Sequence, residues 1–234
     1  MNKAKTDAGL AIEDRLSLLS FLDFKKKLKK HPKIYLSLEE KEEAKQTLKD
    51  FNIDLSEPLF MISVLGSAPS KTYPAEYMAT VLDYIIDNAN AQLIFNYVPN
   101  QKKQALEVYN LCKQNTQNRI QLNLSPATLR EFVAITSFCD ALIGNEGGAV
   151  NMAKAVEVPT FTIFSPWIDK KAWASFEDGV KNVSVHLEDI KPDFYENIIY
   201  KNLKPKSEKL YKILKPEFVF QKLIFFLQKH SKSK

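Results

Sequence analysis

A short glycine loop contains the residues of this chain best suited to binding a ligand. Residues 144–148 read Gly-Asn-Glu-Gly-Gly and separate a short apolar run at 141–143 from a helical stretch at 149–156. A second apolar run follows at 160–164. The pattern predicts a strand, a loop, a helix and a second strand, which together form a compact βαβ unit.

The residue types in this loop favour a ligand that carries both negative charge and hydroxyl groups. Gly147 and Gly148 let a bound group approach the backbone, and the free N–H groups of the following helix attract an anion. Glu146 is itself an anion, so it suits the hydroxyls of a ribose or another sugar better than a phosphate. The alternative is an ordinary βα turn that binds nothing.

A second loop, residues 66–74, reads Gly-Ser-Ala-Pro-Ser-Lys-Thr-Tyr-Pro and follows another apolar run. Ser67 and Thr72 offer hydroxyls, Lys71 offers a positive charge, and Pro74 opens the next predicted helix. These are groups that a diphosphate needs. The loop lacks the glycine and lysine spacing of a Walker A motif. A solvated lysine without a ligand is the alternative reading of this loop.

The glycine loop resembles the signature of the lipopolysaccharide heptosyltransferases, glycosyltransferase family 9, over residues 144–155. That signature has an acidic residue, a small residue, glycine, a variable pair, histidine and an alanine-rich helix. This chain has Glu146 where the family has aspartate, Gly147 for serine and Asn151 for histidine. The resemblance implies that Glu146 and Asn151 hold the donor sugar or its ribose, and that Gly147 and Gly148 bind its phosphates.

The second loop is similar to another motif of the same family, in which a hydroxyl residue and a lysine contact the donor's phosphates. By matching position these are Ser67 and Lys71, while Tyr73 replaces a common tryptophan. The resemblance also includes the Thr-Leu-Arg-Glu-Phe stretch at 128–132. Two such loops, each after an apolar strand and in the family's order, favour a donor site over a pair of unrelated turns.

The resemblance implies the C-terminal, donor-binding half of a GT-B glycosyltransferase. On this interpretation residues 1–31 are an N-terminal tail and linker remnant, and residues 32–234 are the nucleotide-sugar-binding domain with its C-terminal helix. The reaction implied is transfer of heptose, or a related sugar, from an ADP-sugar to lipopolysaccharide core. Such a transfer needs a base on the acceptor hydroxyl, and no credible base is found here. The catalytic residue is therefore unknown and expected in an N-terminal domain, so the chain is a fragment, a truncated product or one subunit of a split enzyme.

The elements that must position these loops alternate between strand and helix patterns. Apolar runs predict strands at 59–65, 92–97, 119–122, 141–143, 160–164 and 182–187. Ser37 and Glu40 predict a capping box for a helix ending near Lys49, and Ser125-Pro126 predicts the start of a helix ending near Phe138. Further helices are predicted at 75–88 and 101–115. The fold class expected is α/β, a Rossmann-like parallel sheet with helices on both faces.

Two aromatic-rich segments leave alternatives open. Trp167 and Trp173 lie in a predicted long loop at 165–179, where either ring could stack on a nucleobase, although packing under the loop is favoured. Residues 216–229 predict a helix too apolar for a solvated tail. Packing on another domain is favoured over lying on a membrane, since its apolar residues do not form a narrow stripe.

Composition excludes several classes of protein. The 234 residues are 45% hydrophobic with a net charge of +5, which is typical of a well-packed globular protein with a mildly basic surface. No run approaches the length of a membrane span. Two cysteines and three scattered histidines argue against a metal site, so neither a metal nor a cofactor is expected. The lysines at 25–30 lack the aromatic residues of a nucleic-acid surface, so no nucleic acid is expected.

The expected ligands are therefore a nucleotide-sugar donor and a lipopolysaccharide core acceptor. A cytoplasmic location is expected, with peripheral contact at the inner membrane as a further expectation. The main rival is a module that binds a nucleotide-sugar or a partner chain without turnover. A second rival is a GT-B transferase that uses another donor, such as a UDP-sugar. A dinucleotide-binding protein is disfavoured because no G-x-G-x-x-G follows a strand.

Overall fold

The computed structural model of the protein describes Arg15 and residues 32–231. The predicted N-terminal tail and linker therefore lie almost entirely outside the described residues. The strands are β1 (Leu59–Ser63), β2 (Gln92–Asn96), β3 (Ile120–Gln121), β4 (Ala141–Asn145), β5 (Thr160–Ile163) and β6 (Asn182–Val185). The α-helices are α1 (Leu38–Asp50), α2 (Ala75–Ala89), α3 (Lys102–Leu111), α4 (Gln114–Gln117), α5 (Leu129–Thr136), α6 (Gly148–Ala155), α7 (Lys170–Trp173), α8 (Pro192–Tyr195), α9 (Ser207–Tyr211) and α10 (Pro216–His230). Single turns of 3₁₀ helix at Pro69–Lys71, Pro99–Gln101 and Leu187–Asp189, and a longer one at Tyr200–Lys206, complete the described elements.

The strands form one parallel sheet in the order β3-β2-β1-β4-β5-β6. The chain builds outward from β1 to β3, then returns to place β4 directly beside β1. Ser63 and Gly144 pair across this junction. Since strand order reverses between β1 and β4, the crevice beyond their carboxyl ends is where such sheets bind ligands.

Alternate residues of β1 show why helices cover both faces of the sheet. Phe60 and Ile62 pack in one apolar cluster with α2 and α10, whereas Leu59 and Met61 pack in a second cluster with α1 and α5. A strand buried on both sides is apolar along its whole length, as in other parallel sheets. The predicted α/β fold, with a Rossmann-like parallel sheet between helical layers, is confirmed.

The terminal helix α10 packs against the domain that precedes it in the chain. Phe220 stacks on Tyr84 of α2 with ring centroids 4.0 Å apart, and Phe226 lies against Phe161 of β5 at 5.5 Å. The prediction that this helix packs is confirmed, but its partner among the described residues is α2 and the sheet rather than another domain. None of the helices in residues 32–231 has the length and apolarity to cross a bilayer.

The predicted start of α5 is wrong by several residues. The N-cap is Thr128, not Ser125, because the Thr128 hydroxyl accepts a hydrogen bond from the Glu131 N–H at 3.1 Å. The Glu131 carboxylate in turn accepts one from the Ala127 N–H at 2.7 Å. These two hydrogen bonds fix the start of the helix directly after Thr128.

Two other predicted boundaries also differ from the structure. The helix predicted over 101–115 is divided after Leu111, where Cys112 takes an extended conformation, and a separate turn, α4, follows. The predicted long loop at 165–179 contains the one-turn helix α7. Asp169 caps α7 by accepting a hydrogen bond from the Lys171 N–H at 3.0 Å, a local signal that the sequence interpretation overlooked.

Candidate functional site

The loop after β1 folds tightly on itself because Gly66 lies against the backbone of Lys71. A Cβ at Gly66 would come within 2.2 Å of the Lys71 carbonyl oxygen, so the turn requires glycine. The Thr72 hydroxyl closes the same turn by accepting from the Gly66 N–H at 3.1 Å and donating to the Ala68 carbonyl at 2.9 Å. Thr72 was predicted to offer its hydroxyl to a ligand, but it uses that hydroxyl to shape the loop.

Asn145, at the end of β4, fastens the two motif loops together. Its side chain is fully buried, and its Oδ1 accepts a hydrogen bond from the Tyr73 N–H at 2.7 Å. Its Nδ2 donates to the carbonyls of Ser63 and Val64 at 3.0 and 2.9 Å. One amide thus satisfies three buried backbone groups from the β1 side, which fixes where the loop carrying Lys71 lies.

Lys71 and Glu146 meet at the junction between β1 and β4. Lys71 Nζ lies 2.9 Å from Glu146 Oε1, and the two side chains are 25% and 11% exposed. That oxygen is buried and receives no well-directed hydrogen bond from any described residue, so the contact is an ion pair by proximity. The sequence interpretation assigned the lysine to phosphates and the glutamate to hydroxyls, and the structure places the two groups in contact.

A tryptophan and a second lysine border this ion pair. Lys71 Nζ lies 5.6 Å from the centroid of the Trp167 ring, and Lys204 Nζ lies 5.2 Å from the same centroid. The indole N–H of Trp167 donates to the Ser70 carbonyl at 2.8 Å. The Trp167 ring therefore holds the loop after β1 in place and attracts both ammonium groups to its face.

The two tryptophans of this region differ in environment. Trp167 is half-buried and packs against the core, which confirms the packing interpretation for this residue. Trp173 is 46% exposed, so the same interpretation is wrong for it. The Arg15 guanidinium lies 5.8 Å from the centroid of its ring.

A buried tyrosine lies behind the ion pair. Tyr211, on α9, is 1% exposed, and burial raises the pKa of its hydroxyl well above the usual value, with the Glu146 carboxylate adding to the effect. The hydroxyl is close to Ser165 but makes no well-directed hydrogen bond to a described residue. Buried polar atoms left open in this way are typical of a position that a ligand or water completes.

The remaining predicted site residues lie around this centre. Helix α6 begins at Gly148 with Gly147 as N-cap and no side-chain cap, so its first N–H groups are available to an anion. A Cβ at either glycine would meet nothing within 4 Å, which leaves open space above the loop. Ser67 and Asn151 are both exposed, on the β1 loop and on α6 respectively.

His186, which directly follows β6, connects to the loop after β1 through a chain of hydrogen bonds. Its Nδ1 accepts from the Glu188 N–H at 3.0 Å, and its Nε2 lies 3.2 Å from the Ser165 carbonyl, which assigns the neutral ring with its proton on Nε2. Burial lowers the pKa of His186 despite the nearby carboxylates. The Ser165 hydroxyl donates to the Ser70 carbonyl at 2.7 Å, beside Lys71.

Sequence reasoning missed three residues that the structure brings to the site. Lys204 and Tyr211 come from a segment far along the chain, and no local pattern marks them. Asn145 could have been found, because it comes just after the apolar run 141–143, and a buried amide must find hydrogen-bond partners. Within residues 32–231 there is no group of three histidine, cysteine or acidic side chains placed to hold a metal.

Comparison with known proteins places these observations in a family. A sequence model of glycosyltransferase family 9 (heptosyltransferase) matches residues 2–204. No curated protein matches the chain.

Solved structures share the fold at low sequence identity. A glycosyltransferase family 9 protein from Veillonella parvula is similar, with a TM-score of 0.73 and 15% identity over 97% of this chain and 62% of that one. The ADP-heptose lipopolysaccharide heptosyltransferase II of E. coli has a TM-score of 0.62 and 17% identity over 86% of this chain and 55% of that one. A UDP-GlcNAc 2-epimerase from Methanocaldococcus jannaschii has a TM-score of 0.50 and 17% identity over 83% of this chain and 46% of that one. This chain therefore spans less than two thirds of each of these proteins.

Proposed function

This chain belongs to glycosyltransferase family 9, and we propose that it supplies the donor-binding half of a transferase that moves heptose, or a related sugar, from an ADP-sugar to lipopolysaccharide core. Family membership supports the reaction class. The name of the E. coli heptosyltransferase supports ADP-heptose as the first donor to test. A cytoplasmic location agrees with this donor and stays a prediction.

The observation that carries the proposal is the contact between Lys71 and Glu146 at the β1–β4 junction. Two loops, far apart in sequence, meet where a doubly wound sheet binds nucleotides. Lys71 offers a cation for the diphosphate, and the uncapped start of α6 offers N–H groups. On this proposal Lys204, which shares the Trp167 ring with Lys71, adds a second cation, so charge neutralisation requires no metal.

Donor binding must change the ion pair. A diphosphate would attract Lys71 away from Glu146, because its charge is larger and its oxygens accept several hydrogen bonds. Glu146, with one buried oxygen still open, would then accept hydrogen bonds from sugar hydroxyls. Lys71 and the α6 N–H groups would stabilise the diphosphate as it leaves. The general base is assigned to an acceptor-binding domain, on the same polypeptide or on a partner.

The first test is calorimetry of ADP and UDP with the purified chain, alone and as Lys71→Ala. We expect ADP to bind, and Lys71→Ala to weaken it by about 1.5–3 kcal/mol, the range for a hydrogen bond to a charged group. Lys102→Ala is the control, since it also removes one lysine charge, but from an exposed position in the first turn of α3. Circular dichroism of each variant shows that it is folded.

The second variant, Glu146→Gln, separates phosphate binding from sugar binding. Removing the carboxylate frees Lys71, so ADP should bind at least as tightly as before. ADP-heptose should bind less tightly, because the sugar hydroxyls lose a charged acceptor. A preference for UDP would favour a transferase with a different donor. Binding of ADP-heptose without turnover, even with an acceptor domain added, would favour the non-catalytic module. No nucleotide binding by the folded chain would contradict the donor site.

A further inference from the structure

A lysine-rich segment connects α8 to α10 and is not used by the proposed donor chemistry. Residues 200–215 hold one acidic residue, Glu208, and six lysines: Lys201, Lys204, Lys206, Lys209, Lys212 and Lys215. The described residues as a whole carry no net charge, with 24 basic and 24 acidic side chains, so the excess of five positive charges in this segment is a local one.

The segment exposes its lysines to solvent and buries most of its apolar residues. Its inward residues are buried in the domain: Leu203, Ser207, Leu210, Tyr211 and Leu214. All six lysines are exposed. The Tyr73 hydroxyl donates to the Leu214 carbonyl at 2.6 Å, which ties the segment to the loop after β1. The lysines therefore stand on a fixed surface.

Apolar side chains lie among these lysines in solvent. Ile199, directly before the segment, is 65% exposed, and Ile213, between Lys212 and Lys215, is 38% exposed. Lysines mixed with exposed apolar side chains are typical of surfaces that lie on a bilayer, where the charges meet headgroups and the apolar groups enter the acyl boundary. We refer to residues 199–215 as the basic face.

The surface of α1 shows what an ordinary solvated charged face looks like in this protein. Three lysines there, Lys41, Lys45 and Lys49, alternate with five acidic residues, Glu39, Glu40, Glu42, Glu43 and Asp50. In the basic face, Glu208 pairs with Lys212 at 3.1 Å. Lys201, Lys206, Lys209 and Lys215 have no ion pair within residues 32–231. A surface with such an excess of positive charge attracts anionic partners.

The basic face also adjoins the candidate site, because Lys204 contacts the same Trp167 ring as Lys71. We propose that the basic face binds a bilayer containing anionic lipids and thereby holds the donor site at the membrane surface. This inference assigns a specific surface to the expected membrane contact, and it rests on charge and exposure rather than on the donor chemistry.

The test is flotation of the full chain with phosphatidylcholine vesicles, with and without phosphatidylglycerol. We expect binding only when phosphatidylglycerol is present, and loss of binding at high salt, where surface charges are screened. The triple variant Lys201→Gln, Lys206→Gln, Lys209→Gln should bind on the order of a hundredfold more weakly, since each lysine at an anionic surface contributes about 1 kcal/mol. These three lysines lie outside the donor site.

The matched control is Lys41→Gln, Lys45→Gln, Lys49→Gln, which removes the same charge from the helix on the opposite face of the sheet and should bind as the unmodified chain does. Equal losses in both triple variants would overturn the proposal, because net charge alone would explain them. No flotation of the unmodified chain would also overturn it. Unchanged flotation of the basic-face triple variant, together with weaker binding of a phosphorylated core oligosaccharide by that variant, would assign the basic face to the acceptor instead. ADP calorimetry on the basic-face variant keeps this result separate from the donor site, since its ADP affinity should be unchanged.

Discussion

Two ion pairs in this protein join similar groups and differ in how completely their hydrogen bonds are satisfied. Glu40 and Arg130 connect α1 to α5, and the guanidinium donates to both carboxylate oxygens at 2.6 Å. The same carboxylate accepts from the Ser37 N–H at 2.7 Å, and Arg130 also donates to the Tyr35 carbonyl at 3.0 Å. This pair is bidentate, solvated and complete, which is typical of a structural contact.

Lys71 and Glu146 form the opposite case. Their pair is partly buried, and the carboxylate oxygen nearest the lysine receives no well-directed hydrogen bond from a described residue. Removing charges from water is costly unless the remaining hydrogen bonds are made. A protein that keeps such a pair incomplete, on loops that Asn145 and Gly66 hold rigidly, has left room for a ligand. Incomplete satisfaction, rather than charge, distinguishes the candidate site from the structural pair.

The largest expected effect comes from removing the amide that supports the site pair. Asn145→Ala would remove the side-chain hydrogen bonds that the Tyr73 N–H and the carbonyls of Ser63 and Val64 make inside the domain. We expect a loss of about 3 kcal/mol or more in the free energy of unfolding, since each unsatisfied group costs about 1–3 kcal/mol. Urea unfolding measures this loss. Asn96→Ala, at the same end of the adjacent strand β2, is the control and should cost much less. Equal losses would show that the Asn145 amide has no special role.

A smaller expected effect is a pH dependence of stability on the candidate-site side of the fold, which the region around Glu40 should not share. Burial lowers the pKa of His186, which faces Glu188, Asp189 and Lys170. The unfolded chain then binds the proton more readily, so stability is present above about pH 6.5 and falls as the pH drops below that value. The pKa values of Glu188 and Asp189 are lowered in the folded protein, so the stability that these two carboxylates contribute is lost only at more acidic pH.

Thermal unfolding between about pH 7 and pH 5 tests this expectation, because only His186 among these groups titrates near that range in the unfolded chain. The unmodified protein should lose melting temperature across this interval, and His186→Gln should lose less. A variant with the same pH slope as the parent would contradict the role of His186. The region around Glu40 should remain intact over the same range.

The smallest expected effect is a change in the pKa of Glu40, in its ion pair with Arg130. The Arg130 guanidinium, together with the Ser37 N–H, lowers the pKa of Glu40 to about 2. Arg130→Gln should raise the pKa of that carboxyl part of the way to its ordinary value, since the capping hydrogen bond remains. Carbon-detected NMR titration measures the midpoint. An unchanged midpoint would show that Ser37 alone sets it, and the contrast between the two pairs would weaken.

The sequence predicted the fold class and the site loops because both depend on local patterns. Apolar runs of strand length alternate with helical periodicity, and each loop has its own glycine and polar residues. Thr128 was missed as N-cap because the competing cap Ser125 lies only a few residues away, so their relative strength decides. The α7 turn was missed although Asp169 is a local capping signal. Lys204 and Tyr211 were missed because nothing in their neighbourhood reports what lies across the fold.

The sequence by itself determined that residues 66–74 follow a strand and that residues 144–148 lie where another strand ends, and that both loops carry groups suited to a diphosphate and to hydroxyls. Only the tertiary structure decided that β4 lies beside β1, since strand order follows from how the crossovers pack and not from any single strand. That adjacency places Lys71 against Glu146 and brings Trp167, Lys204 and Tyr211 around them. The chemistry of each group follows from its own residue type. Whether a carboxylate oxygen is left without a hydrogen bond depends on everything that packs around it.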